Sequence, residues 1–447
     1  MIRFMGLMSL PAAPRPPWRN PAHRRSARYR RVVPIEPSRR TTARGLDRLV
    51  NFTDAAVAIA ITFLVLPLVD VTAELDTHPL GELLEANWGT LLAFLISFAV
   101  IGRLWMVHIA VFEWVTDYRP ALVWLNFLWL LSIVAIPFAA NLLAYADRDR
   151  GVYALYIGVM VVASASTLAM DVLLLRDPEL LRADAPRPTP SFVTVFILIA
   201  ALVLAVTVPA VNMGWLLLLF LSSPLERVWA RLRHRELPPR APAPHNERGL
   251  DRLVNFSDAT VAIAITIMVL PLVELAPEIA DTGLGDLFAQ NSGTVLAFAL
   301  SFAIIAVFWV PHHRVFELVG DHSPTLVWIN LLWLCGIAFF PFATSVVAQI
   351  GHERAAIALY VGAMVVISGA LALIDLLLIL RPGLKHPDVG PVRIRFALMP
   401  FGLLILALIL ALLVPGPGLW WLLLLTLERP ILAVIGRRDR STTSVAS

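Results

Sequence analysis

One apolar segment is written twice in this chain, as RLVNFTDAAVAIAITFLVLPL at 48–68 and as RLVNFSDATVAIAITIMVLPL at 252–272. Each opens on an arginine and an aspartate and carries no charge beyond them. Setting Arg48 over Arg252 fixes an offset of 204, the difference between the two numbers. The same offset pairs Asp54 with Asp258, Asn87 with Asn291, Trp105 with Trp309, His108 with His312, and Phe112 with Phe316. It continues through Trp124 and Trp328, Asn126 and Asn330, Pro137 and Pro341, Tyr156 and Tyr360, and Gly158 and Gly362. No insertion interrupts the series, so a domain has been duplicated.

The duplicated unit belongs in a bilayer. With 58% of 447 residues apolar and 15% charged, a water-soluble domain of this size is excluded. Runs at 90–112, 121–143, 152–175 and 192–208 are each near the length that crosses the hydrocarbon at 1.5 Å per residue. Six spans are expected in the first copy, near 54–71, 90–112, 120–143, 152–175, 191–208 and 212–229. The second copy gives 258–275, 294–316, 324–347, 355–380, 395–414 and 417–434. The expected fold is an all-α polytopic membrane protein made of two parallel six-helix repeats.

Charge gives the topology. Asp70, Glu74, Asp76, Glu82 and Glu85 fill the first outer loop without a basic residue, as do Glu274, Glu278, Asp281 and Asp286 in its twin. Arginines collect after the fourth span, in the central linker and at the C-terminal end, which the positive-inside rule assigns to the cytoplasm together with both termini. An even number of spans gives both copies one orientation and excludes an inverted repeat. The expected organisation is a disordered arginine- and proline-rich tail at 1–47, repeats at 48–232 and 252–436, a linker at 233–251 and a tail at 437–447. The first 48 residues hold twelve arginines and no apolar core, so they do not form a secretion signal. Many arginines beside few lysines suit a GC-rich bacterial genome, so the bacterial plasma membrane is the expected location.

Within the repeated helix, Ile59, Thr62, Phe63 and Leu66 fall at spacings of three, four and seven, as do Ile263, Thr266, Ile267 and Leu270. Such a stripe ordinarily means packing or lipid contact. Thr53, Asp54, Ser257 and Asp258 offer side-chain oxygens able to cap a first helical turn. Arg48 and Arg252 stand six residues before those aspartates, too far for helical i,i+4 pairing. An Arg–Asp pair therefore needs a bend or a partner in another helix. His108, Asn126, Trp124 and Trp129, with His312, Asn330, Trp328 and Trp333, are candidates to satisfy these groups from the second and third spans.

The combination R-x3-F-[ST]-D, A-I-A-I-T-x3-L, W-x2-H-x3-F, and N-x2-W followed by P-F resembles the TMEM175 family of potassium channels, and both copies match it. The resemblance implies six-helix units without a voltage sensor, assembled in two-unit chains as homodimers with pseudo-fourfold symmetry, with the first helix of each unit lining the pore. It places a narrow isoleucine ring at Ile59 and Ile263 and potassium-supporting threonines at Thr62 and Thr266. Further rings fall at Phe63 with Ile267 and Leu66 with Leu270, and Arg48, Asp54, Arg252 and Asp258 match the signature charges. The permeant ion implied is K+. Phe63 against Ile267, Pro311, and the doubled His312-His313 depart from fourfold regularity.

A secondary transporter with two parallel six-helix halves is the alternative, although it would normally hold an ionisable group near midmembrane. An enzyme is not expected: there is no nucleotide loop, H-E-x2-H spacing or G-x-S-x-G elbow. His312-His313 near Asp321 and His322 could suggest a metal site, but the first copy lacks His313 and His322. The lone Cys335 excludes an intramolecular disulfide or a cysteine metal cluster. No cofactor, nucleic acid or small-molecule substrate is expected; membrane lipid and a second copy are. Asn51 and Asn255 match the glycosylation pattern but lie at the cytoplasmic edge, where they stay unmodified.

Overall fold

The computed structural model describes residues 39–208 and 247–428, except for 76, 146–148, 186–191, 279–282, 389–394, 415 and 417, plus a few positions between 214 and 228. The segment to residue 38, Asp76, Asp281, most of the linker, most of 212–229 and the tail from 437 lie outside the described residues. The first copy runs α1 (Arg39–Phe63), α2 (Leu66–Val71), α3 (Leu80–Ala86), α4 (Trp88–Phe112), α5 (Pro120–Tyr145), α6 (Arg150–Arg176) and α7 (Phe192–Thr207). The second repeats it as α8 (Glu247–Ile267), α9 (Leu270–Val273), α10 (Leu284–Gln290), α11 (Ser292–Phe316), α12 (Pro324–Ile350), α13 (Arg354–Leu380) and α14 (Arg395–Leu413).

Eight helical segments among the described residues are long and apolar enough to cross a membrane, four from each copy. The protein is a multi-pass membrane protein. The fifth helices fall short of full length, with apolar stretches at Phe192–Thr207 and Leu398–Leu413. The expected sixth span of the second copy begins as a 3-10 helix, Gly418–Leu427.

The start of the first helix differs from the expectation. α1 begins at Arg39, inside the stretch assigned to a disordered tail, and α8 begins at Glu247, inside the stretch assigned to the linker. Thr53 and Asp54 therefore sit mid-helix and cap nothing. Thr53 Oγ1 instead donates back to the Leu49 carbonyl at 2.9 Å, and Ser257 Oγ does the same to Leu253 at 2.7 Å. The cause is that every amide in that turn already has its helical acceptor, which leaves the hydroxyl only a carbonyl to bond.

Prolines set the other end. Pro67 has no N–H for the carbonyl four residues back, that of Phe63, and its ring crowds that carbonyl. α1 stops at Phe63 and restarts as α2 at Leu66. Pro271 ends α8 at Ile267 in the same way. The break thus falls at the last turn of the proposed pore stripe.

Within each copy the second to fourth helices pack as a bundle. Tyr156 on α6 bonds Ser97 on α4 at 2.9 Å, and Tyr360 on α13 bonds Ser301 on α11 at 2.8 Å. Below them, single antiparallel bridges join Val115 to Leu181 and Val319 to Lys385, again one repeat apart. Between copies, α1 packs along α8 and α12 lies against α2 and α4. Thr72 shares a 2.8 Å hydrogen bond with Ser345 and accepts one from Gln349 at 3.2 Å. A Cβ at Gly102 would meet Leu331 Cδ1 at 2.8 Å, so the glycine lets α4 approach α12.

Candidate functional site

Arg252 is buried at the junction of the two copies. Moving a guanidinium out of water is costly unless geometry and hydrogen bonds compensate. Here it forms a fork: Nε donates to Asp54 Oδ2 at 2.8 Å and Nη2 to Oδ1 at 2.7 Å. Both side chains are 3% exposed. The arginine is on α8 and the aspartate on α1, so the partner that sequence spacing demanded comes from the other copy.

A directed chain of bonds extends from this pair. Trp105 Nε1 on α4 donates to Asp54 Oδ1 at 2.8 Å. Arg252 Nη2 also reaches His108 Nδ1 at 3.0 Å, which must then be the lone-pair nitrogen. His108 Nε2 consequently donates to Asn126 Oδ1 at 2.7 Å, and Asn126 Nδ2 donates to Thr53 Oγ1 at 2.8 Å. Arg252 Nη2 serves two acceptors, each later donor serves one, and a single His108 tautomer suits the run, while Arg252 Nη1 is buried without a partner. Rings seal it. Phe256 stacks on Trp105 at 3.9 Å, and His108 lies between Trp129 and Phe112 at 4.2 and 4.5 Å.

The second copy builds the same frame. Trp309 donates to Asp258 at 2.8 Å, His312 bonds Asn330 at 2.8 Å, and Asn330 donates to Ser257 at 2.8 Å. His312 stacks on Trp333 at 3.9 Å. Arg48 does not join either frame. It is exposed, and Trp124 and Trp328 also stand exposed, apart from the networks their sequence positions suggested.

The proposed pore residues divide by copy. On α1, Ile59 and Phe63 are 44% and 47% exposed, whereas Thr62 is fully buried and donates to the carbonyls of Ala58 and Ile59, each at 2.9 Å. On the second copy the order reverses. Thr266 is exposed and donates to the Ile263 carbonyl at 2.8 Å, Ile263 is half-buried, and Ile267 is buried. Leu66 is half-buried past the proline break and Leu270 is exposed. Helical spacing alone put the four on one stripe, yet the threonine lies about 100° around the helix from its successor and meets a different neighbour.

Sequence reasoning passed over two polar positions. Asp171 and Asp375 occupy the same place in α6 and α13, and Asp375 is buried with Oδ1 lacking a partner. An aspartate repeated inside an apolar run was the available signal. Thr72, Ser345 and Gln349 were not legible that way, because their counterparts Ala276, Asn141 and Tyr145 differ in chemistry. No group of three metal-ligating side chains occurs among the described residues.

Comparison with known proteins gives two matches to one family, described as endosomal/lysosomal potassium channel TMEM175, at residues 48–137 and 252–341. A potassium channel of Streptomyces collinus is 32% identical over 166 residues, 35% of this chain and 79% of that protein. A potassium channel of Chamaesiphon minutus is 38% identical over 109 residues, 24% of this chain and 54% of its own length. The endosomal/lysosomal proton channel TMEM175 of Homo sapiens is 31% identical over 126 residues, 28% of this chain and 24% of the human protein. Both matched segments begin at the arginine of the duplicated helix and run through the His–Asn frame, and with four-fifths of a bacterial channel covered, the chain belongs to the TMEM175 family.

Proposed function

We propose that this protein is a potassium-selective channel without a voltage sensor, working as a homodimer in the bacterial plasma membrane with both termini in the cytoplasm. Four first helices, α1 and α8 from each protomer, surround the axis. Ile59 and Ile263 form the narrow ring, followed by Phe63 with Ile267 and then Leu66 with Leu270. The observation that carries this reading is that α1 and α8 pack side by side, locked by the Arg252–Asp54 fork, while Ile59 and Phe63 remain open on α1. Asp54, Arg252, Asp258, His108, His312, Asn126 and Asn330 serve as the frame that holds these helices, and Arg48, exposed, stands outside it.

An isoleucine ring offers a cation no ligand. Ions pass only where the ring admits part of the hydration shell or where nearby oxygens replace lost water. Thr266 is exposed and spends its hydroxyl proton on the Ile263 carbonyl, which leaves its oxygen lone pairs for that role; Thr62, the matching position of the first copy, is buried within its own chain with its proton on the Ala58 and Ile59 carbonyls. The proline breaks free the Phe63 and Ile267 carbonyls of their helical donors, adding oxygens one residue on. Potassium sheds water more easily than sodium, so such a site favours potassium without a carbonyl cage. Glu74, Glu82 and Glu85, with Glu274, Glu278 and Asp286, would concentrate cations at the outer mouth.

Liposomes loaded with potassium test this. Flux should run for potassium ahead of sodium and caesium, and a proton-sensitive dye in the same vesicles separates the activity named for the human relative. Replacing both Ile59 and Ile263 by asparagine should raise potassium leak several-fold at equal protein incorporation. Unchanged leak would remove the isoleucines from the gate, and flux that saturates and requires a second solute would favour a transporter.

A further inference from the structure

We infer that Thr72, Ser345 and Gln349 are positioning residues of the outer mouth, a clasp by which the second copy's α12 holds the short helix α2 that follows the first copy's pore stripe. This rests on the channel reading above and deepens it by naming what fixes the outer end of α1 and leaves that of α8 loose.

The need for a clasp follows from the proline break. α1 stops at Phe63, and α2 restarts at Leu66 with Pro67 in its first turn. The missing N–H interrupts the ladder that would have carried the direction of α1 into α2. A helix of six residues does not hold itself. Yet α2 carries Leu66, the last of the proposed ring residues, and the exposed Asp70. Whatever orients α2 orients both.

The hydrogen bonds identify the holder. Thr72 directly follows α2, and its hydroxyl donates to the Val69 carbonyl at 2.7 Å, one of the carbonyls that a helix end leaves open. That uses its only proton, so the two further bonds at Thr72 Oγ1 are both accepted, one on each lone pair. Ser345 Oγ donates at 2.8 Å and Gln349 Nε2 at 3.2 Å. The two donors stand four residues apart on α12, on one face of that helix. Thr72 and Ser345 are 2% and 4% exposed, so water does not compete for the bond between them. Leu68 and Val71 of α2 are buried as well.

The second copy shows the same outer end without a clasp. Ala276 stands at the place of Thr72 and has no hydroxyl, and Asn141 and Tyr145 stand at the places of Ser345 and Gln349. α9 closes at Val273, the twin of Val69, and none of its side chains is buried. The two residues by which α2 is longer, Asp70 and Val71, are the ones that the back-bond from Thr72 to Val69 encloses. Leu270 and Glu274, the counterparts of Leu66 and Asp70, therefore stand on an end that this clasp does not tie. Motion at the outer end of the pore falls to α9, and α2 stays with α12.

Full-length chains in lipid nanodiscs and in potassium-loaded liposomes provide the test. Thr72→Ala, which installs the second copy's residue, should lower the hydrogen-exchange protection of amides between 66 and 75 by about tenfold, as the loss of one net hydrogen bond requires. Ser345→Ala should do the same. Thr72→Ser keeps the hydroxyl and should stay within about twofold of the parent. Amides between 270 and 275 should be the less protected set in the parent and should not respond to any of these variants. Potassium flux at equal incorporation should rise by about twofold or more in Thr72→Ala, as Leu66 leaves its fixed place, and remain parental in Thr72→Ser. Unchanged protection in Thr72→Ala, or an equal loss in Thr72→Ser, would overturn the clasp. Lost protection with parental flux would overturn the positioning role and leave a packing contact. A parent that passes no potassium would sink the channel reading alone, because exchange reads the clasp without any current.

Discussion

At its N-terminal end the duplicated helix has been kept nearly letter for letter, and one turn before its proline break it has drifted. Asp54 and Asp258 each receive a tryptophan at 2.8 Å, and both histidines bond an asparagine that reaches back to a hydroxyl. Phe63 and Ile267, by contrast, differ in shape and in exposure. The two ends obey different physics. A buried donor without its acceptor loses its full solvation, so every member of the polar frame is fixed by every other. Apolar contacts are non-directional, and a ring can replace a sec-butyl group where space allows.

Removing one side of the fork should produce the largest effect. Asp54→Ala leaves Arg252 buried with only His108 as acceptor, and breaking one partner of a buried pair costs about 3–5 kcal/mol. Thermal unfolding in detergent should show a strongly destabilised chain even as a monomer. Asp258→Ala should leave monomer stability much closer to the parent, because its one hydrogen bond given among the described residues is to the neutral Trp309. Equal loss in the two variants would erase the distinction between the two aspartate sites.

Cutting the relay further along should cost less. Asn126→Leu strands His108 Nε2–H and removes the donor to Thr53, with a penalty of about 1–3 kcal/mol for the orphaned group. His108 stacks between Trp129 and Phe112, so the ring itself should stay in place. Asn330→Leu should behave alike, since that half of the frame is complete within each copy. Unequal losses would mean that the frames differ in ways the shared bonds do not capture.

Much of this was legible from the letters. The offset of 204 residues named the frame because residues bound to one another by directional bonds must be retained together, and the spacing of Arg48 and Asp54 demanded a second helix. What it could not supply was which copy's arginine meets which aspartate, since both arginines are identical in context. The start of α1 was misjudged for a related reason: Thr53 and Asp54 are good caps in isolation, and only the aspartate's burial against α8 shows why they stand mid-helix instead. The facing of Thr62 also escaped, because periodicity assigns a stripe and only packing decides where it is covered.

The smallest effect on stability, and the sharpest on the apolar end, belongs to Phe63→Ile. In one chain the ring is 47% exposed, so trimming it to the residue found in the other copy should move the unfolding transition by no more than about 0.5 kcal/mol. Function should respond more than stability. Four isoleucines would restore a regular ring below Ile59 and Ile263, and with less bulk at the axis the potassium flux should rise while the preference over sodium holds, since Thr62 and Thr266 are untouched. A fall in flux would place Phe63 in packing between helices rather than in the path, and the apolar end of the helix would then be specified by assembly instead of by the ion.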